Sequence, residues 1–306
     1  MVAVQTSIAV GPDDCPQWIR EAVRAGGATI VDTRSATGLI WSDAFDPAGL
    51  ERELKDSPSI RWVQLPFAGS ENFMHLVNPD RIWTSAKGVY SEPVAELVMG
   101  FLIGGLRNIV GYSRTNHWSG EFGRSLHSGR ITVIGGGGIA TALLRQLKPF
   151  NCRVTVVRNN VQPMSGAELV VTPDRLAETL PDADAVVIAL ALTPDNVGII
   201  GRAELELMNS HAWLINVGRG RHVKTDDLVS ALQNNSIGGA ALDVTDPEPL
   251  PDDHSLWGLA NCVITPHIGN TAEMVPPMLS ERITANVVRY LAGEPLIGLL
   301  NRERGY

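Results

Sequence analysis

The stretch ITVIGGGGIATALLRQLKPFNCRVTVVRNN (131–160) is the part of this chain best suited to holding a phosphorylated ligand. A β-branched run meets Gly135, Gly136, Gly137, Gly138, Ile139 and Ala140, and a helix-like segment and a second β-branched run follow. Four consecutive glycines alone would also make a plain turn. Between a strand and a helix, the G-x-G-x-x-A spacing fits a dinucleotide. Gly135 permits the tight turn, Gly137 lets the backbone approach a pyrophosphate, and Ala140 is small enough for the helix to pack on the strand. With Gly138 and Ile139 at the helix start, free N–H groups and the positive end of the helix dipole face the phosphates.

An acidic residue commonly closes the second strand and binds the ribose 2′-hydroxyl. Here that place holds Arg158, Asn159 and Asn160. No carboxylate repels a 2′-phosphate, and a guanidinium pairs with phosphate in two hydrogen bonds. The expected cofactor is therefore NADP(H) in preference to NAD(H). The competing reading is a solvated arginine at a strand end, with NAD also accepted.

Three later segments carry polar side chains at the C-terminal ends of predicted strands, the edge where open α/β sheets bind ligands. NVGRG (216–220) holds Arg219, ALDVTDPEPLP (241–251) holds Asp243 and Glu248, and TPHIG (265–269) holds His267. Arginine, glutamate and histidine together suit chemistry on a carbonyl next to a carboxylate. The remaining histidines lack such surroundings.

These residues need elements to position them. ATIVD (28–32), GLIW (38–41) and IRWVQLP (60–66) read as buried strands. ITVIG (131–135), RVTVV (153–157), DAVVIAL (184–190), AWLINV (212–217), GGAALDV (238–244) and CVITP (262–266) read as a second set. Strands alternating with helical stretches imply parallel sheets built from right-handed crossovers. A long helix is expected from about Pro93 to Gly111, with Ser91 as a cap and Gly100, Gly104 and Gly105 allowing close packing. Its apolar face is expected to serve core packing between two domains, a dimer interface, or both. A second helix is expected over 273–292.

The bulk numbers set the frame. The chain has 306 residues, enough for two domains. Its formal net charge of -8 and the absence of basic runs argue against a nucleic-acid binder. Cys15, Cys152 and Cys262 are scattered without metal-ligand spacing, which fits a reducing, cytoplasmic setting and no disulfide framework. No basic residue precedes the apolar stretch in MVAVQTSIAV, so a signal peptide is not expected. The longest apolar run, Leu97 to Leu106, falls short of the ~20 residues of a membrane span.

Taken in order, GGGGIA, LTP (192–194), NVGRG, ALDVTDPEPLP and TPHIG, with EPVAE (92–96) and the ending RGY (304–306), resemble the D-isomer-specific 2-hydroxyacid dehydrogenase family. The resemblance runs from about residue 60 onward; the first part matches only in pattern. It implies two doubly wound parallel-sheet α/β domains with a cleft between them: a Rossmann dinucleotide-binding domain over 93–277 and a smaller, flavodoxin-like substrate domain over 1–92 and 278–306. Arg219 would bind the substrate carboxylate and polarise the 2-oxo group. His267 would be the general acid in reduction and the base in oxidation, since imidazole titrates near neutral pH. Glu248 would hold the imidazole in orientation, and Asp243 would contact the nicotinamide amide. Val217 would line the nicotinamide ring, and Leu190 and Asn196, beside LTP, would join the cofactor site. The backbone at Ala68 and Gly69 would bind the substrate carboxylate, and Trp41 and Phe67 would line a side-chain pocket.

Family members that oxidise formate carry an amide at the place of Glu248, so formate is not expected. Phosphoglycerate-type members place arginines where this chain reads GLIWSDAFD, which argues against a phosphorylated substrate. The expected activity is an oxidoreductase passing a hydride between NADP(H) and a 2-oxo acid / D-2-hydroxy acid pair. Glyoxylate and hydroxypyruvate are the leading substrates. The alternatives are an NAD-linked dehydrogenase of phosphoglycerate or a bulkier acid, and a non-catalytic nicotinamide-sensing protein. No metal, nucleic acid or membrane is expected as a partner, and a homodimer is.

Overall fold

The computed structural model describes residues 6–301 and divides into two compact units, 1–90 with 271–306 and 91–270. The RGY ending and the first five residues of the N-terminal stretch lie outside the described residues.

The first unit is built on four parallel strands in the order β1 (Ile8–Gly11), β2 (Gly38–Trp41), β3 (Trp62–Gln64) and β4 (Ile82–Thr84). Helices α1 (Gln17–Ala25) and α2 (Pro47–Asp56) fill two of the crossovers. The strand expected over 28–32 is reduced to one parallel bridge, Ile30 to Ile8. The cause is Asp32, whose side chain accepts the Arg34 N–H at 3.0 Å and caps a short turn that carries the chain off the sheet. With that bridge counted, the strand order is 2-1-3-4-5, the flavodoxin arrangement. The C-terminal helix, Val275–Ala292, is tied to this unit by a buried polar chain. Asn286 Nδ2 donates to Gln64 Oε1 at 2.9 Å, Thr84 Oγ1 donates to the same oxygen at 2.9 Å, and Trp62 Nε1 donates to Thr84 Oγ1 at 2.8 Å. Buried amides of this kind must be satisfied, which fixes the helix register against the sheet.

The second unit begins with α3 (Ser91–Leu106) and α4 (Ile109–Ser113). One helix was expected to run to Gly111, but the chain breaks at Asn108, which sits in the left-handed region at φ 53°. Ser91, expected as the cap, is the first helical residue. Seven parallel strands follow: β5 (Arg130–Ile134), β6 (Arg153–Val157), β7 (Leu169–Val171), β8 (Ala185–Ile188), β9 (Trp213–Asn216), β10 (Gly239–Leu242) and β11 (Cys262–Ile264). Between them lie α5 (Gly138–Leu147), α6 (Leu176–Thr179), α7 (Arg202–Leu207) and α8 (Thr225–Gln233). The order β11-β10-β9-β8-β5-β6-β7 is the Rossmann order with one strand added, and the topological switch lies between β5 and β8. Both sheets are parallel and doubly wound, as the alternating pattern implies. β1, β4 and β7 are strands beyond those expected from the sequence; the last two span three residues each, too short to carry a pattern.

The glycines of α3 serve different faces. A Cβ at Gly105 would overlap the Trp213 ring, so this side of the helix packs inside the unit, whereas a Cβ at Gly100 would meet open space. No helix of the described residues is long and apolar enough to cross a membrane. Burial pushes the Cys262 thiol up to about 12.

Candidate active site

Register brings the candidate residues to one edge. Ile134 pairs with Val157 and Ile188, Ile188 with Asn216, Asn216 with Leu242, and Leu242 with Ile264. The strands therefore end level. The glycine loop, the 189–196 loop, the Arg219 turn, the Glu248 loop and the His267 turn all leave the same C-terminal edge. Adjacent strands lie about 4.8 Å apart, so the glycine loop after β5 and the Arg219 turn after β9 stand about 10 Å apart along the edge.

At the switch point Gly135 has φ +117° and a Cβ there would overlap the Ala189 carbonyl oxygen, so only glycine fits. A Cβ at Gly137 would meet nothing within 4 Å, which leaves the backbone open to a ligand at the N-terminus of α5. Ala140 is fully buried under that helix. Arg158 folds back over the loop: a Cβ at Gly136 would lie 2.6 Å from its Cδ and 2.8 Å from its Nε. An open, amide-rich cradle with a guanidinium at its rim fits a nicotinamide dinucleotide. Asn159 is exposed beside it.

Downstream, Leu190 is half-buried and Val217 nearly covered at 7% exposure. Asn196 uses its side chain within its own loop, accepting from Thr193 N–H at 2.9 Å and donating to the Ala191 carbonyl at 2.8 Å. These two bonds brace the loop and leave the amide a second N–H and a second lone pair.

Arg219 is half-buried and follows β9 in a turn whose backbone is held on every side. The Arg219 N–H donates to His222 Nδ1 at 3.1 Å, and its guanidinium donates to the Gly218 carbonyl at 2.8 Å. A Cβ at Gly220 would overlap the Thr245 carbonyl oxygen, so this glycine lets the Arg219 turn abut the loop that carries Glu248.

His267 Nδ1 lies 2.7 Å from Glu248 Oε1. An ionised carboxylate only accepts, so Nδ1 carries the proton and donates, which leaves Nε2 as the nitrogen that can exchange a proton with a ligand. Both side chains are partly exposed, at 49% and 41%. Glu248 also accepts from the Thr245 N–H at 3.4 Å through Oε2. His267 has φ 54°, a conformation that costs a non-glycine residue about 1–3 kcal/mol and persists only where neighbours enforce it.

Asp243 is the enforcing neighbour, a task beyond the nicotinamide contact expected of it. It is 3% exposed, and both its oxygens point into the 265–269 turn. Oδ1 accepts from Thr265 Oγ1 at 2.6 Å and from Ile268 N–H at 2.8 Å, while Oδ2 accepts from Gly269 N–H at 2.9 Å. Its carbonyl accepts the His267 N–H at 2.9 Å. Thr265 was not singled out from the sequence.

Of the expected substrate residues, Ala68 and Gly69 lie in the first unit, in the irregular loop that leaves the C-terminal end of β3; Ala68 is exposed and Phe67 is 37% exposed. Trp41 requires correction as a pocket residue. It ends β2 at 2% exposure inside the apolar cluster of Leu39, Leu50, Leu54 and Val63. β2 runs between β1 and β3, and the large ring is covered there instead of facing a ligand.

Residues 99–269 match the family model for the D-isomer specific 2-hydroxyacid dehydrogenase NAD binding domain. An uncharacterised protein in the proB 3′ region of Corynebacterium melassecola is 38% identical over 293 residues, 93% of this chain and 95% of that one. A mouse glyoxylate reductase/hydroxypyruvate reductase is 32% identical over 218 residues, 68% of this chain and 66% of that one. Among solved structures, a 2-hydroxyacid dehydrogenase from Xanthobacter autotrophicus Py2 superposes with a TM-score of 0.86 at 24% identity, covering 99% of this chain and 100% of that chain.

Proposed function

Because the chain belongs to the D-isomer specific 2-hydroxyacid dehydrogenase family, whose members are NAD(P)-dependent oxidoreductases, we propose that it reduces a small 2-oxo acid to the D-2-hydroxy acid with NADPH. Glyoxylate and hydroxypyruvate lead as substrates, in keeping with the activity that the mouse relative's name states. The observation that carries the reading is the His267–Glu248 contact at the level strand edge that also bears Arg219 and the glycine loop.

Gly135, Gly137, Gly138, Ile139 and Ala140 would hold the pyrophosphate, with Arg158 and Asn159 at the adenosine ribose. Leu190, Val217 and the one Asp243 Oδ2 lone pair left over by Gly269 would border the nicotinamide. When bound, the nicotinamide supplies the hydride that reduces the carbonyl carbon. Arg219 binds the substrate carboxylate with its planar fork and draws electron density from the neighbouring carbonyl. In its doubly protonated form His267 would give the Nε2 proton to the carbonyl oxygen and become the neutral ring, while Glu248 keeps the ring aimed through the retained Nδ1–H bond to Oε1. In the oxidative direction the same nitrogen takes the hydroxyl proton.

The cofactor choice rests on Arg158 lying over Gly136 with no carboxylate at the strand end. Arg158→Asp is expected to lower kcat/KM for NADPH by about 10–100-fold, since a hydrogen bond to a charged group contributes about 1.5–3 kcal/mol. Activity with NADH should hold or rise. The measurement is oxidation of each cofactor, followed by absorbance, against glyoxylate, hydroxypyruvate, pyruvate, phenylpyruvate and branched-chain 2-oxo acids. Comparable kcat/KM for both cofactors in the unmodified enzyme would sink the NADP reading.

A homodimer is supported by the apolar groups left uncovered after α3. Ile109, Trp118 and Phe122 are 52%, 102% and 68% exposed along one short segment of chain, apolar surface that a second copy would cover. The double variant Trp118→Ser, Phe122→Ser should sediment as a monomer where the unmodified chain sediments as a dimer. A monomer in both cases would remove this part of the proposal. The free thiols support a cytoplasmic location.

A further inference from the structure

We propose that Asn216 is the positioning residue for Arg219, and that its side-chain amide sets the affinity for the substrate carboxylate. The inference rests on the reading of Arg219 as the ligand of that carboxylate. Asn216 ends β9 at 1% exposure, after Trp213, Leu214 and Ile215 at 6%, 0% and 0%. An amide in such a place is costly unless both its halves are bonded, and an apolar residue of the same size would bury there without that demand.

Its bonds give the reason for an amide. Nδ2 donates to the Arg219 carbonyl at 2.9 Å, and Oδ1 accepts from the Gly218 N–H at 3.0 Å. One side chain therefore clamps both sides of the peptide between Gly218 and Arg219, and the Arg219 side chain leaves a backbone fixed at either end. The main chain of Asn216 adds a second tie, because its carbonyl accepts the Asp243 N–H at 3.0 Å. The turns carrying Arg219 and His267 are thus each anchored to a buried polar residue, Asn216 and Asp243, and those two residues are bonded to each other.

The clamp needs one donor and one acceptor in a fixed order. An aspartate of the same shape supplies this only while protonated. Ionised, it turns lone pairs toward the Arg219 carbonyl and carries a buried charge, which raises its pKa. Asn216→Asp should therefore be a pH-dependent version of the clamp, a behaviour that a purely space-filling role would not produce.

The test compares the unmodified enzyme with Asn216→Asp, Asn216→Ser and Arg219→Lys. It measures KM and kcat for glyoxylate, and NADPH Kd by fluorescence, from acid to mildly alkaline pH. Above neutral pH, Asn216→Asp should raise the KM for glyoxylate about 10–100-fold, the size of effect expected from displacing a binding group by about 1 Å. NADPH Kd should be unchanged. Relative to the unmodified enzyme, kcat/KM of this variant should recover as the pH falls. Should it fail to fold at the higher pH, Asn216→Ser carries the test, with the same rise in KM at unchanged NADPH Kd. A ratio to the unmodified enzyme that is flat with pH, or a parallel loss of NADPH binding, would overturn the inference. If Arg219→Lys leaves the KM for glyoxylate untouched, the reading of Arg219 fails first. If Arg219→Lys raises KM and neither Asn216 variant does, only the role of Asn216 fails.

Discussion

His267→Asn is expected to lower kcat for 2-oxo acid reduction by about 10²–10⁴-fold, the contribution of a positioned general acid, while NADPH Kd stays unchanged. Asparagine is the informative replacement because it tolerates positive φ better than other residues. The 265–269 turn then keeps its shape at φ 54°, and the loss reports the missing imidazole alone. Glu248→Gln should cost less, since an amide oxygen still accepts from Nδ1–H, and what is lost is the charge and the long 3.4 Å bond from the Thr245 N–H. The double variant should be no slower than His267→Asn alone, because residues that act as a unit do not add. Stopped-flow measurement of the hydride step would isolate this from product release. A His267→Asn enzyme with ordinary turnover would instead favour a Rossmann oxidoreductase that shares the glycine loop and works through other groups.

Legibility in the sequence followed the length and rhythm of each segment. RVTVV and AWLINV are β-branched or apolar runs between turn residues, and both coincide with strands, Arg153–Val157 and Trp213–Asn216. LVV and IWT are too short to stand out from loops, and β7 and β4 went unseen for that reason. ATIVD has the composition of a strand, but the turn that Asp32 caps leaves only Ile30 on the sheet. The site was legible as a set of motifs because its side chains cluster beside glycine and proline at strand ends. What braces the backbone of their turns was not. Asn216 reads as one polar letter in NVGRG, and its two hydrogen bonds to the Arg219 turn depend on a three-dimensional path. One signal was available: a polar residue closing an apolar strand is buried on both faces and must find partners. The same signal would have given Asp243, after GGAAL, its bracing of the 265–269 turn beside the nicotinamide contact expected of it. Trp41 shows the opposite failure, since its size and aromaticity suit a pocket and a core equally, and only the neighbouring strands decide.

Asp243→Asn is the second large effect, with an expected loss of about 10²-fold in kcat, as for a catalytic group moved by about 1 Å. The carboxylate accepts from Thr265 Oγ1, Ile268 N–H and Gly269 N–H, all donors. Asparagine offers one oxygen and one NH₂. With the oxygen at the Oδ1 place, the NH₂ faces the Gly269 N–H; flipped, it faces the Ile268 N–H. Either way two donors oppose each other in a site 3% exposed, where water cannot intervene. The strain at φ 54° is then no longer enforced, so the turn relaxes and His267 leaves Glu248. Two measurements separate this from a direct loss of nicotinamide contact. Positioning predicts that NADPH still binds, while the imidazole signals of His267 move in the NMR spectrum of the unliganded enzyme. A variant whose His267 signals are unchanged without ligand, and whose NADPH Kd rises instead, would assign Asp243 to the cofactor alone.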